Sequence, residues 1–129
     1  RYRTYHGCAM PIQHQHASIA AWGDEAHVAA NRRLYREKFS AVLEILDGIL
    51  PVSQPDAGFY LWPATPIDDT DFAKGLLAGQ NVTTLPGRYL SREVKGVNPG
   101  HRRLRLALVA PLAECVDAAR RIRRYVESL

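Results

Sequence analysis

The sequence predicts a layered α/β or α+β domain in which helices cover a small sheet. Three observations carry that prediction. Segments with helical apolar spacing and segments with strand character follow one another as helix, long helix, strand, helix, strand, loop, strand, helix. The 129 residues suffice for one core of ordinary domain size and not for two large ones. With 47% hydrophobic and 23% charged residues, the composition is that of a folded chain rather than a disordered one.

The elements follow in order. In "PIQHQHASIAAWG" a proline suited to a first helical turn opens the run, and Gly23 ends or kinks it. Asp24 then caps "DEAHVAANRRLYREKFSAVLEILDG", where Val28, Tyr35, Phe39, Val42, Leu46 and Leu50 recur at three- and four-residue steps. That spacing makes one buried stripe, and the length exceeds the usual helix, as expected of a bridge between two bodies. "AGFYLWP", residues Ala57 to Pro63, has the aromatic and aliphatic density of a central strand. Asp68 or Asp69 caps "DDTDFAKGLLAG", with Phe72, Leu76 and Leu77 as its apolar face and Gly79 as its stop. "NVTTLPG" reads as a short strand with Val82 and Thr84 on one side, broken at Pro86. A loop without regular structure runs from Leu85 to about Gly100, long enough to suggest a functional role. "LRLALV" is a strand, and "LAECVDAARRIRRYVESL" is a helix with Leu112, Val116, Ala119, Ile122 and Val126 inward and Arg120, Arg121, Arg123 and Arg124 outward.

Charge and motif content exclude several classes. Lys and Arg total 17 against 13 Asp and Glu, a net charge of +4, with the arginines spread over several segments. Nucleic-acid binding calls for a concentrated basic face with stacking aromatics, so it is not the first expectation. Cys8 and Cys115 form no CxxC pair, which fits a reducing compartment. His14 and His16 diverge on their helix, and His6, His27 and His101 lack ligand spacing, so no metal centre is expected. No apolar run approaches a membrane span, and no GxSxG appears. Neither Lys38, Lys74 nor Lys95 has a setting that argues for imine chemistry. The chain opens without an initiator methionine, as a segment of a longer polypeptide would.

Arg105 is the sharpest residue. In "LRLALV" it shares a strand face with Ala107 and Val109, opposite Leu104, Leu106 and Leu108. A guanidinium there either closes a structural ion pair or takes a planar carboxylate through its parallel N–H donors. The residues alone leave these two readings level. Around it, "TTLPG" and "GVNPG" read first as turns and second as backbone shaped for ligand approach. Arg88, Tyr89 and Arg92 fold over an anion or form a solvated loop. The arginines of the last helix are first a wetted face and second a phosphate-binding stripe.

Taken together, "DAGFYLWP", "NVTTLPGRYLSREVKGVNPG" and "LRLALV" resemble the carboxyl-terminal part of fold-type I, pyridoxal-phosphate-dependent aminotransferases of the aspartate aminotransferase superfamily. "YRTYHGCAM" and "AAWGDEAHVAANRRLYREKF" narrow the resemblance to the proteobacterial N-succinyldiaminopimelate aminotransferases. The resemblance implies that residues 1–30 end the large cofactor-binding domain and begin the bridging helix, and that residues 31–129 form the small domain. It implies that Arg105 binds the α-carboxylate of the substrate. Leu85 to Gly87 match the turn before the loop at the active-site mouth, so Arg88, Tyr89 and Asn98 become candidates for nearby roles. Gly58 and Phe59 match a small-domain strand in which Ala57 replaces a usual glycine.

By the same resemblance, the Schiff-base lysine and the groups that hold pyridoxal 5'-phosphate lie outside this segment. No catalytic residue and no bound cofactor are therefore expected in it, and no activity in isolation. The full-length enzyme is implied to be a cytoplasmic homodimer using small amino and keto acids, with glutamate and 2-oxoglutarate as exchange partners. It would need no metal, nucleic acid or membrane. The alternative is a stand-alone basic module for nucleic acid or another anion, and a third is a structural or regulatory remnant.

Overall fold

The computed structural model describes residue 7 and residues 9–129, so Cys8, His6 and most of the "YRTYHGCAM" motif lie outside the described residues. The chain forms two compact units, residues 1–33 and 34–129.

In the first unit, α1 spans Ile12–Gly23. Pro11 stands just before it, and its carbonyl accepts from the His14 and Gln15 amides at 3.0 and 3.1 Å. None of its residues is buried. Asp24 separates α1 from α2, Glu25–Leu46, and acts as the expected cap by accepting the Ala26 amide at 3.0 Å. Its carboxylate also meets His27 Nδ1 at 3.0 Å, and that hydrogen bond is the main reason its carboxyl lies below the ordinary range. The second half of α2 belongs to the second unit.

There the remaining elements are β1 (Tyr60–Leu61), α3 (Asp69–Gln80), β2 (Leu85–Pro86), a 3-10 turn (Gly87–Leu90), β3 (Leu104–Ala107) and α4 (Leu112–Glu127). The sheet has the order β1-β3-β2, antiparallel throughout, with Leu61 opposite Leu106 and Pro86 opposite Leu104. These paired residues are buried, as are Phe39, Val42 and Leu46 of α2, Phe72 and Leu76 of α3, and Ala119 and Ile122 of α4. Each Leu, Ile, Val or Phe among them contributes about 1.5–3 kcal/mol by leaving water. Tyr125 of α4 meets Phe72 edge-on at 5.1 Å, and Gly75 makes room, since a Cβ there would stand 2.9 Å from Tyr125 Cζ.

Several sequence expectations need correction. "AGFYLWP" supplies an edge strand, not a central one, because β3 alone has partners on both sides. The second strand falls on Leu85–Pro86 rather than on Val82 to Thr84, and proline is admissible there because the strand is an edge. Thr84 Oγ1 is buried with no hydrogen-bond partner among the described residues. α3 stops at Asn81, which takes the left-handed conformation with φ 52°, rather than at Gly79. Leu77 is 48% exposed, and Leu112 is exposed while Cys115 takes its place in the buried stripe of α4. The stretch from Leu85 to Gly100 is not a structureless loop. It holds β2, the 3-10 turn and a two-residue hairpin in which Val94 and Val97 exchange both backbone hydrogen bonds, at 2.9 and 3.0 Å. Lys95 and Gly96 at its tip have φ of 52° and 78°, the positive pair that a tight hairpin of matching twist requires.

Candidate functional site

β3 alternates as its sequence requires. Leu104 and Leu106 turn inward, and Arg105 and Ala107 turn to the opposite face. Antiparallel register adds Leu85, opposite Arg105, and Tyr60, opposite Ala107, to that outer face. Arg105 is partly buried, and its guanidinium carbon lies 4.7 Å from the centre of the Tyr60 ring. Among the described residues no carboxylate pairs with it. The structural ion pair that the sequence left open is thus not formed there.

Tyr60 is braced from behind. Its ring lies 4.1 Å from that of Phe59, which lies 6.1 Å from Tyr35 of α2. Lys38 Nζ sits 4.9 Å from the Tyr35 ring and donates to the carbonyls of Leu108 and Val109 at 3.0 and 3.4 Å. Lys38 is a buried ammonium, and the two carbonyls with the ring face are what make its burial tolerable. The sequence reading gave Lys38 no argued setting. Its place on the buried edge of the helical stripe, next to Phe39, was the available signal.

Arg88 has the opposite environment. Asp69, wholly buried, accepts the Arg88 amide at 3.1 Å, its Nε at 2.9 Å and its Nη2 at 2.7 Å, and also the Arg102 amide at 3.3 Å. Asp68 accepts Arg88 Nη2 through a short contact, and its Oδ1 caps α3 by accepting the Thr70 amide at 3.0 Å and hydroxyl at 2.6 Å. The Thr70 hydroxyl is the largest influence on Asp68, and with the Thr70 amide and Arg88 it outweighs desolvation to hold the carboxyl at about 2. Burial pushes Asp69 upward, but the hydrogen bonds from Arg88 and Arg102 outweigh it and leave the carboxyl below its ordinary range. Arg88 is raised in turn, chiefly by its bond to Asp69.

His101 Nδ1 lies 3.3 Å from Arg88 Nη2, and the ligand-type atoms of Asp68, Asp69 and His101 lie within 4.8 Å of one another. The histidine survey of the sequence missed this convergence. The guanidinium donates into both carboxylates, so the charge that would attract a cation is already met.

The other loop candidates fall beside this network. Asn98 Oδ1 accepts the Gly100 amide at 2.9 Å and the Ser91 hydroxyl, which fixes the loop on itself. Tyr89 is 66% exposed. Arg88 and Asn98 line a cleft of 410 Å³ with Glu93, Gly96, Val97 and His101, and Arg105 is not part of it. The prolyl glycines lie in turns, as the sequence suggests first, and they also allow close backbone packing. The Gly87 amide donates to Arg103 O at 2.7 Å, and a Cβ on Gly87 would lie 2.8 Å from Arg103 Cβ. Gly100 is pressed against the Gly87 backbone in the same way.

The residues present do not fit a covalently held aldehyde cofactor. Lys38 is spent on backbone carbonyls, and Lys74 and Lys95 are exposed. On α4, Arg121 pairs with Asp117 at 2.7 Å and Arg123 with Glu127 at 2.8 Å, and each also donates to a main-chain carbonyl, of Gln80 and Ile45, at 3.3 Å. Half of the basic stripe is thereby committed, and the nucleic-acid alternative gains no support. Cys115 is a buried thiol donating to Ala110 O at 3.3 Å, and burial raises it above its ordinary range. Among the described residues no helix is long and apolar enough to cross a membrane.

This three-stranded antiparallel sheet backed by helices has close structural counterparts. An aminotransferase from Neisseria meningitidis superposes with a TM-score of 0.86 at 52% identity, over 94% of this chain and 31% of that one. A probable N-succinyldiaminopimelate aminotransferase from Thermus thermophilus superposes with a TM-score of 0.67 at 36% identity, over 80% of this chain and 27% of that one. By sequence, a probable aminotransferase of Mycobacterium tuberculosis is 32% identical over 88 residues, 67% of this chain and 21% of the relative. No protein-family model matches. The chain therefore has the fold of an aminotransferase carboxyl-terminal domain. More particularly, it is the fold of fold-type I, the aspartate aminotransferase superfamily. It spans a fifth to a third of the length of these relatives.

Proposed function

We propose that this chain is the substrate-binding carboxyl-terminal part of a pyridoxal-phosphate-dependent aminotransferase, with residues 1–30 closing the large domain and residues 31–129 forming the small one. The full-length polypeptide exchanges an amino group between succinyldiaminopimelate and the glutamate and 2-oxoglutarate pair, in diaminopimelate and lysine biosynthesis. It works as a cytoplasmic homodimer, and the cofactor and its lysine reside in the preceding part of the polypeptide.

The observation that carries this reading is Arg105: a partly buried guanidinium on an open sheet face, held by a ring and by no carboxylate among the described residues. Such a group has its N–H donors available for the planar α-carboxylate that amino acids and 2-oxo acids share. Holding that carboxylate fixes the substrate's reacting carbon and nitrogen relative to the rest of the site. Arg88, Tyr89 and Asn98 shape the loop near the mouth, Arg88 and Asn98 through their internal bonds. The relatives' names support the reaction class, and the Thermus thermophilus neighbour supports the substrate.

Steady-state kinetics of the full-length polypeptide test both parts. Arg105→Ala should lower kcat/KM for amino donor and 2-oxo acceptor alike by about 10- to 100-fold, the scale of a charged hydrogen-bonded pair. An unchanged value would remove Arg105 from the site. Succinyldiaminopimelate should exceed aspartate and aromatic amino acids in kcat/KM, and a reversed order would reassign the substrate.

A further inference from the structure

We propose that Tyr60 is a positioning residue for carboxylate recognition, acting through Arg105. The inference rests on the carboxylate-binding reading of Arg105 given above. An exposed arginine on a long side chain samples many rotamers, and ordering it on binding costs free energy. Arg105 instead rests against a ring, with its guanidinium carbon 4.7 Å from the Tyr60 ring centre. A ring face attracts the cation but offers no lone pair in the plane of the guanidinium. Positive charge is therefore fixed in place while its N–H donors stay unspent. An aspartate in the same position would order Arg105 equally well and occupy those donors, as Asp69 does to Arg88.

The register explains why Tyr60 reaches Arg105. Tyr60 stands opposite Ala107, one step along the same face of β3, and the small Ala107 side chain leaves room for the ring to lean along the strand. On the other side, Leu85 stands opposite Arg105, and this apolar neighbour does not compete with a carboxylate. Phe59 and Tyr35 brace the Tyr60 ring, and Lys38 ties Tyr35 to the Leu108 and Val109 carbonyls that follow β3. The brace thus starts at Arg105 on β3 and ends on the two residues that follow that strand.

The test uses the full-length polypeptide and reads KM and kcat separately, for an amino donor and for 2-oxoglutarate. Tyr60→Leu should raise KM for both by about fivefold, the scale of a partly exposed cation–π contact, with kcat within about twofold. Tyr60→Phe keeps the ring and should restore KM to within about twofold of the parent. Fluorinated phenylalanines at position 60 keep the shape while draining the ring's negative face, and KM should climb with each added fluorine. A KM that stays flat across that series, or Tyr60→Phe as impaired as Tyr60→Leu, would overturn the proposal. An Arg105→Ala arm separates the two ideas. If it raises KM while the Tyr60 variants do not, only the role of Tyr60 fails; if it leaves KM unchanged, the carboxylate-binding reading fails and takes this one with it.

Discussion

Arg88, in the turn after β2, and Arg105, on the neighbouring strand β3, are treated by the chain in opposite ways. Arg88 follows β2 and is met by the carboxylates of Asp69, at 2.7 and 2.9 Å, and of Asp68, through a short contact. Arg105 stands on β3 opposite Leu85, rests on Tyr60, and has no carboxylate partner among the described residues. Both are arginines in a basic stretch, so residue type alone does not separate them. What separates them is how many of their donors the fold has already used. A guanidinium saturated by buried carboxylates is part of the framework, and one held by a ring remains able to bind an anion.

That contrast is sharpest when one side of it is broken. Asp69→Ala should cost the most, about 2–3 kcal/mol of unfolding free energy, because it leaves two backbone amides without their acceptor and Arg88 with Asp68 alone; Arg88 is a third exposed, which keeps the loss below that of a fully buried pair. Urea denaturation measures it.

Acid should weaken the same network. The Asp68 and Asp69 carboxyls are held below their ordinary 3.8, Asp68 to about 2, so their contribution is complete above about pH 4 and falls away as the pH drops toward 2. Unfolding midpoints measured across that window should decline, and an Arg88→Met background should flatten the decline.

Lys38→Met attacks the Arg105 side from behind. It keeps the apolar stem and removes the donor to the Leu108 and Val109 carbonyls, for a loss of about 1–2 kcal/mol in the same urea assay. Arg105→Gln should change stability least, by at most about 1 kcal/mol, since only a ring contact is lost. A stability loss at Arg105 equal to that of Asp69→Ala would erase the contrast.

Local rules were readable from the sequence, and long-range ones were not. The stripe Phe39, Val42, Leu46 and Leu50, the caps at Asp24 and Asp68, and the alternation around Arg105 all depend on neighbours within a turn or a pleat. The Arg88 network joins residues about twenty apart, and the Lys38 contact joins residues about seventy apart, so no local period announces either. The same limit explains why "AGFYLWP" read as central: its apolar density suggested burial, yet only Leu61 and Pro63 are buried while Phe59 and Trp62 are exposed, and strand order depends on which segment lies between the other two. Asn81 displaced Gly79 as the stop of α3 because asparagine also tolerates the left-handed conformation. Gly87 and Gly100 are turn residues as read, but their further need for a missing Cβ arises only when the two segments meet.

The most direct measurement is calorimetric titration of 2-oxoglutarate, the proposed keto-acid acceptor, into the full-length polypeptide and its Arg105→Gln variant. The account expects at least a tenfold loss of affinity in the variant, with its unfolding midpoint little changed. Equal affinity in the two proteins would contradict the assignment of Arg105 as the carboxylate-binding arginine.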